Sequence, residues 1–272
     1  MTQIQLARNG YLPTLDVTEP PTHPHFSGRL AEARSYLVDR PPNLFVAEPG
    51  RFHLYAGWFS PWSHRSTLVI ALAGLEDLVS VSYVDPAHDA RGAFTLLKDA
   101  YEVTDPHFTG PVTVPTLWDW ETRRVVTNDY ATLDIDLATE FREWSRTGVE
   151  LYPPDLRDEI DELDRWLGPV VNQGVFRVGG DPAAGRRARA DLNAAFSTLD
   201  RRLANSAYLL GDRLTLADIR LWVTLVRYGT RPGGERRISP QLSQFSCLWA
   251  YAQDLYAMEA FLVTTDPGRF AR

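Results

Sequence analysis

The sequence predicts an α/β domain followed by an all-α domain, and three observations carry that prediction. Between residues 51 and about 140, short apolar runs of strand length alternate with stretches long enough for a helix turn or more. From about residue 155 the apolar spacing changes to three and four, the period of amphipathic helices. Within that second region, Leu214-Thr215-Leu216-Ala217-Asp218 spells the clearest helix start in the chain.

Taken in order, residues 1 to about 50 show no sustained period and carry Pro20-Pro21, His23-Pro24-His25 and Pro41-Pro42. They read as an extended arm lying over the surface of the first domain. His23 and His25 lack a matching set of partner ligands, so no metal is expected there. The first domain spans 51–142. Arg51 to Ala56 reads as a buried strand, Pro61 to Gly74 as a helix, and Val79 to Val84 as a second strand followed by a loop. Val112 to Trp118 and Arg124 to Thr127 read as two closely spaced strands, with a helix from Asp129. This order places helices over a small mixed sheet. Pro115 has no N–H to give a central ladder, so it should open its strand. A cis Val114-Pro115 bond would turn the Val114 backbone toward a ligand, and a trans proline at the sheet edge fits the sequence as well.

The helical domain spans 155–262. Leu156, Ile160, Leu163, Leu167 and Val170 form one apolar stripe, and Leu192, Phe196, Leu199 and Leu203 form another. Thr215 can cap the next helix while Asp218 reaches back to it, which accounts for Asp218 structurally; Ile219, Trp222, Val223 and Val226 then face inward.

A chain of 272 residues with 44% hydrophobic content can bury a real core. The lone cysteine, Cys247, excludes an internal disulfide and any cysteine cluster for zinc or iron–sulfur, and its apolar setting reads as packing. The start carries no signal-peptide pattern, and no apolar run nears the roughly 20 residues that span a bilayer, so a cytoplasmic protein without membrane attachment is expected. A net charge of −7 argues against nucleic acid as a partner.

The residue with most to say about chemistry is Ser60, in Phe59-Ser60-Pro61-Trp62-Ser63-His64-Arg65. A strand runs straight into a helix there, and the unpaired N–H groups and dipole of a helix start stabilise negative charge. A cysteine at that point would be acidified. A serine stays an alcohol, because the dipole contributes only about 1 kcal/mol. Two readings stand side by side: Ser60 donates a hydrogen bond to another molecule's thiolate, or it caps the helix with Pro61 in the first turn.

Several segments together carry a family resemblance. They are Arg51-Phe52-His53-Leu54-Tyr55, Pro61-Trp62-Ser63-His64-Arg65, Gly74 to Ser82, Val112-Thr113-Val114-Pro115-Thr116-Leu117-Trp118-Asp119, Val171-Asn172-Gln173-Gly174-Val175 and Leu209 to Leu221. Over most of residues 50 to 257 the chain resembles a glutathione transferase, and more narrowly the Xi class, the S-glutathionyl-hydroquinone reductases. The resemblance implies a thioredoxin-like N-terminal domain, a glutathione-transferase-type helical C-terminal domain, a glutathione site on the former and a homodimer. It also implies an active-site cysteine where this chain has Ser60. The family's Glu-Ser pair, which holds the γ-glutamyl group, aligns with Asp129-Tyr130, and its Gly-Trp motif is missing from Asp85 to Gly92. The segment where the family places a tyrosine near the quinone begins here at Tyr228.

The sequence supports a serine-type transferase or lyase. Ser60 would be catalytic, with Val114, Pro115, Asp129 and Tyr130 binding glutathione or another low-molecular-weight thiol, and Trp62 and Tyr228 contacting a small organic electrophile. A thiol-independent isomerase, dehydratase or cyclase using His64, Asp129, Tyr130 or Tyr228 is a second reading. A non-catalytic ligand-binding dimer is a third.

Overall fold

The computed structural model describes residues 24–31, 45–86, 89, 92–178, 182–228 and 240–270. Most of the proline-rich arm, including His23, Pro20-Pro21 and Pro41-Pro42, lies outside them, as does the run from Gly229 to Gly234. The described residues fall into two compact units, one ending at Glu150 and the other beginning at Leu151. None of their helices is long and apolar enough to cross a membrane.

The first unit is built on a four-stranded mixed sheet. Strands β3 (Phe52–Ala56), β4 (Val79–Tyr83), β5 (Thr116–Asp119) and β6 (Arg124–Thr127) lie in the order β4-β3-β5-β6, with β3 parallel to β4 and antiparallel to β5. The parallel pair needs a crossover, supplied by α1 (Pro61–Ala73), which is buried on nearly every side and packs against α3 (Tyr130–Glu140). Gly74 ends α1 in the left-handed conformation at φ 67°, where its N–H reaches back to Ala71 and Ile70. This is the mixed sheet with covering helices that the alternating pattern predicts.

Two local expectations change. The stretch between β4 and β5, read from the sequence as loop, contains α2 (Ala93–Thr104). Its start is Gly92 at φ 69° with no side-chain cap, and Leu96 and Val103 stay exposed opposite the buried face of Ala93, Leu97, Ala100 and Tyr101, so neither cap nor stripe stands out. The Val112-Thr113-Val114 run is not strand: β5 begins at Thr116, one residue after Pro115.

Part of the arm completes this unit. Phe26 pairs its N–H with Asn128 Oδ1 (3.0 Å) and its carbonyl with the Asn128 N–H (3.1 Å), and Ser27 bridges Thr127, so chain N-terminal to the sheet covers the β6 edge. Beyond it, β1 (Leu30–Ala31) pairs in parallel with β2 (Phe45–Val46), and Arg29 forks onto the buried Asp136 of α3. At the opposite end of the sheet, Arg51 grips Asp119 with Nε to Oδ1 at 2.8 Å and Nη2 to Oδ2 at 2.7 Å. Arg51 also meets Glu121 at 2.7 Å and lies over the Phe52 ring.

The second unit is helical: α4 (Arg157–Leu167), α5 (Gly174–Arg177), α6 (Pro182–Leu203), α7 (Leu216–Leu225), α8 (Ser246–Ala257) and α9 (Glu259–Val263). The stripe of Leu192, Phe196, Leu199 and Leu203 on α6 is buried as its spacing predicts. On α4 the stripe holds through Ile160, Leu163 and Leu167, but Val170 does not continue it. The chain changes to a π-turn over Gly168–Asn172, whose wider turn advances the inward position by one residue, so Val171 is the one fully buried. That turn also delivers Asn172, whose Nδ2 donates to the Arg220 carbonyl (2.7 Å) and to Thr224 Oγ1 (2.6 Å) on α7.

Helix α7 is buried all round rather than on one face. Its start is the capping arrangement read from the sequence: Asp218 Oδ2 accepts from the Thr215 N–H (2.9 Å) and hydroxyl (3.1 Å). Asp218 Oδ1 accepts from the Leu209 N–H (2.9 Å) and the Tyr251 hydroxyl (2.8 Å). Burial nevertheless pushes the Asp218 carboxyl above its ordinary range, against the opposing pull of those hydrogen bonds. Thr215→Ala is expected to lower stability by about 1 kcal/mol, the ordinary value of a helix cap, measured as a shift in the urea midpoint at unchanged slope.

Candidate functional site

Four of the residues that sequence reasoning singles out gather where α1 and α3 begin. Ser60 ends the turn after β3 in extended conformation (φ −92°, ψ 115°), and its Oγ accepts the Ser63 N–H at 3.1 Å, with Pro61 in the first turn. The capping role is therefore real. It leaves the hydroxyl proton to donate, and the acceptor in reach is the Val114 carbonyl at 3.5 Å. An O–H···O bond is ordinarily 2.7–2.8 Å, so this hold is weak. Ser60 itself is 2% exposed.

Val114 and Pro115 are joined by a cis bond. Gly57 makes room beside them: a Cβ there would lie 2.8 Å from the Phe59 ring and 3.1 Å from a Val114 methyl. Asp129 is the N-cap of α3, with Oδ1 accepting from the Ala131 N–H (2.9 Å) and Oδ2 from the Thr132 hydroxyl (3.2 Å). Its carboxylate is thus partly committed to its own helix and keeps lone pairs for a cation. The next residue, Tyr130, sets its ring against Trp62, centroids 5.3 Å apart and planes at 50°. Trp62, Asp129 and Tyr130 are all partly exposed.

His64, one turn into α1, is buried, and its backbone N–H bonds the Ser60 carbonyl at 3.1 Å. Tyr228 belongs to the helical unit. It is buried edge-on against Phe196 at 5.0 Å and lines a cavity of about 390 Å³ with Arg189, Asn193, Gln241, Ser243 and Gln244.

Sequence reasoning missed the residues that hold the cis-proline loop. Tyr101, fully buried on α2, bonds Thr113 Oγ1 (3.2 Å) and Thr116 Oγ1 (3.1 Å), and Asn128 donates to Thr113 Oγ1 (2.9 Å). Because α2 reads as loop in the sequence, nothing there brings Tyr101 to the proline.

As a receptor for glutathione, the site fits at the thiol end. A helix start, a hydroxyl with its proton to spare and a backbone carbonyl converge there. At the γ-glutamyl end Asp129 retains the acidic group, while Tyr130 puts a ring where a small hydroxyl is expected. Among the described residues, no group of three His, Cys, Asp or Glu is placed to hold a metal ion.

Comparison with known proteins agrees with this architecture. Residues 182–254 match the family model for the glutathione S-transferase C-terminal domain. The chain is 33% identical over 244 residues to the glutathionyl-hydroquinone reductase YqjG of Escherichia coli, covering 82% of this chain and 74% of that protein. The glutathione-bound structure of YqjG superposes with a TM-score of 0.72 at 32% identity, over 83% of this chain and 80% of that one. The Xi-class transferase from Natrialba magadii superposes with a TM-score of 0.78 at 31% identity, over 90% and 79% of the two chains. Relatedness of that extent, over both the sheet unit and the helical unit, makes this chain a member of the Xi-class glutathione transferase and glutathionyl-hydroquinone reductase family.

Proposed function

We propose that the protein is a serine-type thiol transferase, in which Ser60 activates the sulfur of glutathione or a similar small thiol for transfer to, or elimination from, a small organic electrophile. The observation that carries this reading is the double role of Ser60 Oγ, accepting from Ser63 at 3.1 Å while its proton is held only loosely at 3.5 Å by Val114. A bound thiol supplies the sulfur nucleophile. Ser60 donates its proton into a hydrogen bond with the sulfur, and the accepted Ser63 N–H polarises the hydroxyl and makes it the stronger donor. A bond made to the anion lowers the thiol's pKa, and each unit corresponds to about 1.4 kcal/mol. The start of α1 adds its partial positive charge. Val114 presents backbone, Asp129 faces the ammonium, and Trp62 and Tyr228 contact the electrophile. The working form is a cytoplasmic homodimer.

Support comes from the family, whose YqjG member is known in a glutathione-bound structure. The test is calorimetry with glutathione: saturable binding is expected, and none at millimolar concentration would sink the reading for that thiol. Ser60→Ala should raise the bound thiol's pKa by about one unit, read from thiolate ultraviolet absorbance against pH. Ser60→Gly should do the same while costing only a few tenths of a kcal/mol in stability, against about 1 for alanine, which separates chemistry from capping.

The Tyr130 ring against Trp62, in place of a small hydroxyl, favours one alternative: thiol-free turnover of a metabolite by the same pocket. Product formed without any thiol present would select it.

A further inference from the structure

Asn128 stands between the N-terminal arm and the loop that carries Val114. The Phe26 N–H can only donate, so the amide oxygen of Asn128 faces it at 3.0 Å, which turns Nδ2 toward Thr113 Oγ1 at 2.9 Å. The polarity of every later bond is then set. With its lone pair occupied, Thr113 donates its hydroxyl to the Tyr101 oxygen (3.2 Å), and Tyr101 donates to Thr116 Oγ1 (3.1 Å). Thr116 then donates to the Thr113 carbonyl at 2.7 Å. The chain starts at a backbone donor of the arm and ends at the peptide carbonyl just before Val114, with each hydroxyl giving and receiving. The Thr113 N–H also points to the Tyr101 oxygen at 3.4 Å. Packing runs parallel to the bonds: the Phe26 ring meets Tyr101 edge-on at 5.1 Å.

We infer that Asn128 is a positioning residue that couples the arm to the cis-proline loop, so that docking of Phe26 sets the geometry of the Val114 backbone toward the thiol. The consequence for thiol binding rests on the function proposed above; the coupling itself does not. Neither Asn128 nor Phe26 touches the reacting atoms in this scheme. They act through Thr113 and Tyr101.

Hydrogen exchange read by mass spectrometry on the full-length protein tests the coupling without any ligand. Asn128→Leu and Thr113→Val should each speed exchange in a peptide covering residues 112–118 by about fivefold, the effect of losing roughly one hydrogen bond. Thr113→Val should leave residues 24–31 as protected as before, whereas Asn128→Leu should loosen both segments. Phe26→Ala should loosen 112–118 in the parent and add little in Asn128→Leu. Unchanged exchange at 112–118 in Asn128→Leu, or an equal effect of Phe26→Ala in both backgrounds, overturns the inference. Glutathione calorimetry should show Kd raised about fivefold in Asn128→Leu. A parent protein that fails to bind glutathione refutes the thiol function alone, and the exchange result then decides the coupling by itself.

Discussion

Ser60→Cys is expected to confer glutathionyl-hydroquinone reduction, with turnover at least about a hundredfold above the parent chain. The sulfur would take the place of Oγ, facing the Ser63 N–H at the start of α1. Thiols at helix starts ionise with pKa values of about 3.5–7.5, so most of the variant would be thiolate at neutral pH. The parent offers an alcohol at that point and forms no disulfide through it. The assay is reduction of a glutathionyl-hydroquinone, with intact-protein mass spectrometry to detect the mixed disulfide at residue 60. No gain in either would show that the pocket around the helix start, Tyr130 above all, has diverged along with the nucleophile.

The largest loss of stability in the sheet unit is expected from Asp119→Ala, about 3–5 kcal/mol, because it strands the buried Arg51 guanidinium. For a unit of this size that lowers Tm by on the order of 10 °C. Asp119 is fully buried, and besides both arms of the Arg51 fork it accepts the Glu121 N–H (3.0 Å) and the Thr122 hydroxyl (2.8 Å). Replacing both partners, as Arg51→Met with Asp119→Leu, should cost far less, since no lone charge is left behind. The same pair gives an acid dependence. Burial acts to raise the Asp119 carboxyl, but the Arg51, Thr122 and Glu121 hydrogen bonds outweigh it and hold the group below its ordinary value. A depressed carboxyl stabilises the fold above its unfolded pKa of about 3.9, and the contribution is lost as pH falls through the lower folded value. Asp119→Asn should therefore flatten the stability curve below about pH 4, measured by denaturant titration.

Much of the architecture was legible because it is written in period and punctuation. The β3-α1-β4 crossover showed as a strand pattern, a Ser-Pro start and a glycine stop, and the α6 stripe showed as simple spacing. What escaped depended on partners far along the chain. α2 hides because its cap is a glycine without a side chain and its apolar residues occupy both faces. Val170 misleads because a π-turn changes the count of residues per turn, and no local propensity marks where that happens. At the site, Ser60 was visible as both cap and donor. Tyr101 and Asn128 were not, since each acquires meaning only when helix, arm and proline loop are folded onto one another. Asp129 was read as a carboxylate looking for an ammonium; its two bonds to Ala131 and Thr132 belong to the helix it starts.

The four bonds gathered by Asp218 bear on how the helical unit comes apart. One carboxylate is shared by the Leu209 segment, the start of α7 and the Tyr251 ring of α8. Any of the three that swings away leaves the other two facing an unsated anion in an apolar interior, a state of higher energy than letting all of them go. The outer helix accordingly has little incentive to fray on its own. Protection against exchange should be of similar depth in α7 and α8, as in a single cooperative block.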